Sequence, residues 1–289
     1  MNDLNYNFPD SEWTRQLVRQ SLAEDIGTAD ATTAITTGSG QIIEATIVSR
    51  QQGIVCGLPL ADLIFSQLDP AVKTEKLIPD GSGVSPGMDV AVLRGPASAI
   101  LSGERLMLNF LQHLSGIASL TARYVQQVQG TDCKVLDTRK TLPGYRHLAK
   151  YAVRCGGGHN HRMGLYDRIM LKDNHWATAD GRVAELVSRG RKDFPGLDIE
   201  VEVDDFIQLQ QVLELDVEWI MLDNFSFEDT RKAVAMRDTA GSETLLESSG
   251  NVTLETIGGY ARAGVDAASV GRLTHSVPAL DLGLDMDRK

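Results

Sequence analysis

The chain has little that would tie it to a membrane, an oxidising compartment or nucleic acid. No apolar run reaches the length of a transmembrane helix, and the first residues, "MNDLNYNFPDSEW", are polar and acidic rather than signal-peptide-like. Cysteine is scarce: Cys56, Cys133 and Cys155 are far apart, odd in number and form no C-x-x-C pair. That argues against a disulfide framework and for buried free thiols. Cationic charge is also in deficit, with 28 Lys and Arg against 39 Asp and Glu, a net charge of −11 and a pI near 5.0. A field of that sign repels nucleic acid and anionic lipid. These absences predict a cytoplasmic protein with neither a nucleic-acid nor a membrane partner.

What is present is ordinary globular material. At 289 residues, 42% apolar and 23% charged, the chain can fill one large domain or two smaller ones. Residues 11–26 space Trp13, Leu17, Val18 and Leu22 as a helix, with Ser11 as N-cap and Gly27 as stop. From about 41 to 101 short β-rich runs, "IIEATIVSR", "GIVCG" and "DVAVLRG", are interrupted by one helix, "LPLADLIFSQL", and read as an α+β layer. A long helical pattern over 102–128 follows, with a stripe of Leu106, Phe110, Leu111, Leu114 and Ile117. The rhythm then becomes strand and helix in alternation: "KVLDTRK", "DRIMLKDN", "DIEVEVD", "WIMLDN", "TLLESSGN" and "AASVGR" are six brief extended runs between helices such as "GRVAELVSRGRK" and "FIQLQQVLEL". Such repeats imply a parallel sheet, closed or nearly closed as a TIM-like β/α barrel of about six strands. The expected division is an α+β open-sandwich domain over 1–113, a β/α-barrel domain over 114–275, and a tail over 276–289 returning to the first domain.

The scarce positive charge is not spread evenly. Residues 137–175, "DTRKTLPGYRHLAKYAVRCGGGHNHRMGLYDRIMLKDNH", hold eight Lys or Arg against three Asp, a local balance of +5, and four of the six histidines. Both arginine, whose planar fork matches carboxylates, and lysine, a compact charge suited to phosphate oxygens, are present in Arg139, Lys140, Arg162 and Lys172, with His161 beside them. A small anionic ligand is the expectation, against the plainer alternative of a solvated basic face.

Each predicted strand also ends in polar residues: Asp137-Thr138-Arg139-Lys140, Lys172-Asp173-Asn174-His175, Glu202, Asp223-Asn224, Glu247-Ser248 and Gly271-Arg272. In β/α barrels these ends converge on one mouth, where catalytic groups collect. In "IEVEV" alternation puts Glu200 and Glu202 on one face, opposite the neighbouring apolar residues. Which of the two glutamates faces the mouth stays open at this point, as does a purely structural pairing with lysine. "CGGGHNHR" fits neither a P-loop nor a dinucleotide fingerprint, and a metal site of Cys155, His159 and His161 lacks a fourth ligand. "SSGN" and "SVGRLTHS" have the small residues that expose backbone N–H groups to a phosphate.

The 137–175 segment closely resembles the signature region of the quinolinate phosphoribosyltransferase family. The likeness continues through "GLPLADLIF", "DGSGVSPG", "GPASAILSGERLMLNFLQHLSGIAS", "EVEVD", "IMLDNFS" and "LESSGN", nearly the whole chain. "GTADATT", which lacks an expected glycine-aspartate pair, and a shifted turn at "PGMDVA" depart from the pattern. The resemblance implies phosphoribosyl transfer from 5-phosphoribosyl 1-pyrophosphate to quinolinate with decarboxylation, giving nicotinate mononucleotide for NAD synthesis. It implies that Thr138, Arg139, His161, Arg162 and Lys172 hold quinolinate, with Arg105 arriving from the partner of a homodimer whose active sites are shared. Lys140, Glu202 and Asp223, together with Lys172, become the catalytic set. Ser248, Gly250, Asn251, Gly271 and His275 become the 5-phosphate seat. Mg²⁺ is the implied cofactor, riding on pyrophosphate oxygens beside Glu202 and Asp223 rather than in a protein cage. Two other readings stay open from the sequence: an aldolase-like barrel using Lys140 or Lys172 as a Schiff-base amine, and a non-catalytic anion-binding protein.

Overall fold

The computed structural model describes residues 7–180 and 182–286. In chain order the strands are β1 (Ile42–Ser49), β2 (Gly53–Ile54), β3 (Lys73–Lys76), β4 (Gly83–Val84), β5 (Asp89–Pro96), β6 (Lys134–Leu136), β7 (Ile169–Leu171), β8 (Ile199–Val203), β9 (Trp219–Asp223), β10 (Leu245–Ser249), β11 (Ala267–Ser269) and β12 (Leu282–Met286). The helices are α1 (Glu12–Ile26), α2 (Ala31–Thr36), α3 (Pro59–Leu68), α4 (Ala97–Gln127), α5 (Arg146–Cys155), α6 (Asp173–Thr178), α7 (Val183–Asp193), α8 (Phe206–Leu213), α9 (Phe227–Ala240), α10 (Ile257–Ala263) and α11 (Arg272–His275). The described residues fold into two compact units: those of 1–122, 141–157 and 273–289 form the first, and those of 123–140 with 158–272 form the second. The chain passes into the second unit after residue 122, crosses back over 141–157, and returns at 273, where a returning tail was expected from 276.

The first unit is built on an antiparallel sheet in the order β12-β1-β5-β3. β12 pairs along β1, with Thr46 opposite Asp285, so the chain's last strand completes the sheet that its first strand begins. Helices α3 and α4 supply apolar faces: Ile64, Phe65 and Ile100 are buried with Ile47 and Leu93 of the sheet. The first helix starts and stops where its caps predict, for Ser11 accepts from the Thr14 N–H and Gly27 leaves the helix at φ 58°. Its buried stripe is Thr14, Val18 and Leu22, while Trp13 turns outward and donates its indole N–H to the Gly144 carbonyl at 3.0 Å. Helix α5 belongs here because the Tyr151 hydroxyl donates to Asp80 at 2.7 Å and Gly156 lies against the Ala118 carbonyl, where a Cβ would come within 2.3 Å.

The second unit is the parallel sheet, with order β6-β11-β10-β9-β8-β7. Strands β7 to β11 follow one another without reversal and β6 pairs the far end, so the sheet winds in one direction, as in a barrel with a seam between β6 and β7. On the seam edge of β6, the His159 N–H donates to the Val135 carbonyl at 2.8 Å and the Asp137 N–H to the His159 carbonyl at 3.1 Å. One face of each strand meets helices: Gly190 of α7 packs on Ile169 and Ile199. Alternation then turns Met170, Glu200 and Glu202 to the other face, and strand pairing carries that face through Met221, Glu247 and Ser249. That inner face, usually aliphatic in such sheets, here carries carboxylates.

Candidate active site

A cleft of about 310 Å³ opens at the C-terminal ends of these strands, lined by Thr138, Arg139, Lys140, His161, Arg162, Met170, Lys172, Met221, Ser249 and Ser269. Six of the residues named from the sequence therefore meet in one cavity. The segment after β6 supplies three of them: the Lys140 N–H donates to the Thr138 hydroxyl at 3.0 Å, which folds the chain sharply back at Arg139. The turn carrying His161 is fastened to the same strand end, because the buried Asp137 accepts from the His161 N–H at 2.9 Å and from the Asn160 amide at 2.6 Å. Arg162 donates to the Arg168 carbonyl at 3.1 Å. Burial, then the neighbouring charge of Arg139, holds the Arg162 guanidinium below its ordinary pKa. Two like charges held this close are a receptor for an anion.

The glutamates divide by depth. Glu202 sits at the mouth, where the Lys172 ammonium makes an ion pair with its carboxylate. Glu200, with no exposed surface, lies deeper, accepting from Arg168 at 3.2 Å, with the His161 Nε2 3.0 Å away. Asp223 is half-buried and takes the Asn224 amide at 2.6 Å. Burial and the charge of Asp204 raise its pKa above the carboxylate norm, against the pull of Lys172.

Among the expected phosphate ligands, Ser249 rather than Ser248 lines the cleft. Strand alternation turns Ser248 to the helix-facing side, and it is only 1% exposed. Gly250 and Asn251 follow with φ of 88° and 49°, and the Gly250 Cα approaches the Asn224 side chain so closely that a Cβ would lie 2.1 Å from its Oδ1. Positive φ at both residues bends the chain sharply just past β10, beside the cleft-lining Ser249. Gly271 follows β11 in the same unit, whereas His275, exposed with its Nδ1 2.6 Å from the Ser276 hydroxyl, falls in the first unit, as does the exposed Arg105 of α4.

Arg168 and Glu247 were not among the sequence candidates. Strand parity offered a signal for both, since Arg168 is in step with Met170 and Lys172, and Glu247 with Ser249. The metal set of Cys155, His159 and His161 is not assembled. Cys155 instead neighbours Cys56 and Asp80, and His161 neighbours Glu200 and Glu247. Neither cluster resembles a metal centre in its bonding. Asp80 already accepts from the N–H groups of Gly57 and Leu58 and from Tyr151, and Arg168 already occupies the cationic position beside Glu200. All three cysteines are free and buried, as expected.

With this geometry in view, comparison with known proteins decides the family. The quinolinate phosphoribosyl transferase N-terminal domain model matches residues 30–115 and the C-terminal domain model matches residues 117–285. The chain belongs to the quinolinate phosphoribosyltransferase family. It is similar to the nicotinate-nucleotide pyrophosphorylase [carboxylating] of Mycobacterium leprae, 42% identical over 94% of this chain and 96% of that protein. It is equally similar to the probable enzyme of that name from Bacillus subtilis, 42% identical over 94% and 93%. Among solved structures, the nicotinate-nucleotide pyrophosphorylase of Francisella tularensis superposes with a TM-score of 0.93 at 38% identity, covering 99% of this chain and all of that one. Among the described residues, no helix is long and apolar enough to cross a membrane.

Proposed function

We infer that this chain transfers a phosphoribosyl group from 5-phosphoribosyl 1-pyrophosphate to quinolinate with loss of CO₂, making nicotinate mononucleotide in NAD biosynthesis. The observation that carries this reading, beside family membership, is the gathering of Arg139, Lys140, Arg162 and Lys172 around one cleft whose mouth also holds Glu202. A dicarboxylic acid and a diphosphate both require such cations. Arg139 and Arg162 take the adjacent carboxylates of quinolinate, and Met170 and Met221 offer the flat ring polarisable thioether surface. Lys140 and Lys172 face the diphosphate, and the turn through Ser249, Gly250 and Asn251 receives the 5-phosphate.

The reaction then needs positioning and charge, not a covalent nucleophile. The bond from C1 of the ribose to the pyrophosphate oxygen breaks, its electron pair leaving with pyrophosphate. Glu202 and Asp223 stabilise the oxocarbenium-like C1 that results. The pyridine nitrogen attacks C1. The ring cation accepts the electron pair of the C2–carboxylate bond as CO₂ departs, and C2 takes up a proton. Mg²⁺ fits as an ion carried by the diphosphate: Glu202 is engaged by Lys172, and among the described residues the side-chain clusters able to surround an ion do not include Glu202 or Asp223. When bound, it neutralises charge on the leaving pyrophosphate.

The assembly in this reading is a homodimer with shared active sites, Arg105 of each chain serving its partner's cleft. Its support is the apolar surface of Leu165 and Tyr166, 72% and 71% exposed in the loop that follows Arg162. The Schiff-base alternative at Lys172 is disfavoured because that ammonium serves as the counter-ion of Glu202. The decisive test incubates the purified protein with quinolinate, phosphoribosyl pyrophosphate and Mg²⁺. Nicotinate mononucleotide and CO₂ in equal amounts are expected; absence of both overturns the assignment.

A further inference from the structure

His161 lines the cleft, yet neither of its ring nitrogens points at a ligand. Nδ1 accepts the Arg162 backbone N–H at 2.6 Å, which places the ring proton on Nε2. Nε2 lies 3.0 Å from a carboxylate oxygen of Glu200 and 3.5 Å from one of Glu247, facing both buried acids. Both glutamates have no exposed surface and His161 is 8% exposed, so the three groups meet in a buried cluster. Arg168 donates at 3.2 Å to the same Oε2 of Glu200 that His161 faces, and lies 5.0 Å over the Trp219 ring.

The consequence for the cleft runs through the backbone. The Arg162 N–H is bonded to the ring of His161, and the His161 N–H is bonded to Asp137. The orientation of that ring therefore sets where the peptide ahead of the Arg162 side chain lies. A ring released from its carboxylates is free to rotate and to let the peptide shift, and a displacement of about 1 Å at a bidentate contact weakens it severely.

We propose that Glu247, acting with Glu200 on His161, is a positioning residue that fixes Arg162 for the carboxylates of the substrate. His161 itself contributes ring surface rather than a hydrogen bond to the ligand. Charge in the buried group agrees with this arrangement. Burial and the charge of Glu200 push the Glu247 carboxyl up to about 7. Burial opposes ionisation of Glu200 too, but His161 and Arg168 outweigh it and hold its pKa below the ordinary value. Glu200 is thus the fixed anion and Glu247 the adjustable partner.

The proposal rests on the phosphoribosyltransferase reading, and two measurements keep the two apart. Turnover by the wild-type protein tests the reading. With turnover established, Glu247→Gln, which keeps size and removes the charge, is expected to raise the quinolinate KM about tenfold. The phosphoribosyl pyrophosphate KM should stay near wild type, and the melting temperature should not fall below that of the wild type. An unchanged quinolinate KM, or equal rises in both KM values with a lowered melting temperature, overturns the positioning role. Should the variant not fold, ¹⁵N spectra of histidine in the wild-type protein decide the matter without any turnover. A proton on Nε2 of His161 that persists when quinolinate is added supports the proposal, and a proton on Nδ1 overturns it.

Discussion

Lys172 and Glu202, one residue beyond β7 and within β8, form an ion pair across adjacent strands at the cleft mouth. The pair joins a group suited to a leaving diphosphate to a group suited to the cation that departure creates. A substrate that draws Lys172 towards its phosphates uncovers the Glu202 carboxylate at the moment C1 becomes electron-poor.

Replacing Glu202 with Gln is therefore expected to lower kcat about a hundredfold, with the KM for phosphoribosyl pyrophosphate changed only a few-fold. Steady-state kinetics with each substrate varied in turn measures both. A wild-type kcat would remove Glu202 from the transition state.

Arg139→Ala leaves Arg162 alone among the guanidinium groups lining the cleft, and the quinolinate KM should rise about a hundredfold. Competition by a pyridine monocarboxylate should be less affected, since it needs one carboxylate contact fewer. Inhibition constants for the two classes of acid check this.

Gly250→Ala tests the phosphate turn. The new methyl would meet Asn224 at 2.1 Å on a backbone with φ of 88°. We expect the phosphoribosyl pyrophosphate KM to rise at least tenfold, by the order of one lost charge-assisted contact, about 1.5 kcal/mol. The quinolinate KM should stay within twofold.

Stability should depend on pH through Glu247. Its folded pKa of about 7 stands above the unfolded value of 4.5, so the native state holds the proton more tightly. The stabilisation this gives is complete below about 4.5 and is lost as pH rises through about 7, a change on the order of 3 kcal/mol. Chemical unfolding of the wild type and of Glu247→Gln at pH 5 and pH 8 should show the variant gaining on the wild type at the higher pH. A constant difference would contradict the assignment.

The proposed sharing of active sites across a dimer is tested by mixing. Arg105→Ala and Lys140→Ala proteins, each inactive alone, should recover up to about a quarter of wild-type activity once their subunits exchange, as symmetry at a two-fold interface requires. Exchange proven by labelled subunits without recovery would confine each site to one chain.

The parallel strands were legible because each couples an apolar run to polar residues at its end, and the cleft was legible because cations are rare elsewhere in this chain. Helix α5 was not read as a helix: Tyr145 precedes it with no side-chain cap, and its cationic residues look like ligands rather than a helix face. Strand β3, "KTEK", has the polar composition of a protected sheet edge and carries no alternation to find. Glu247 shows in the sequence as a strand ending, and only its pairing with Met221 reveals that it faces inward. Two residues from it, Ser249 has the same parity and reaches the cleft, while Ser248 between them does not.

Synthesis of this chain imposes an order on its folding. Among the described strands β1 is made first and β12 last, yet they are neighbours in one sheet. Until β12 has been made, β1 keeps one unsatisfied flank, an opening for unwanted pairing with other nascent chains. A premature stop that spares every cleft residue would still yield a protein with that flank permanently bare.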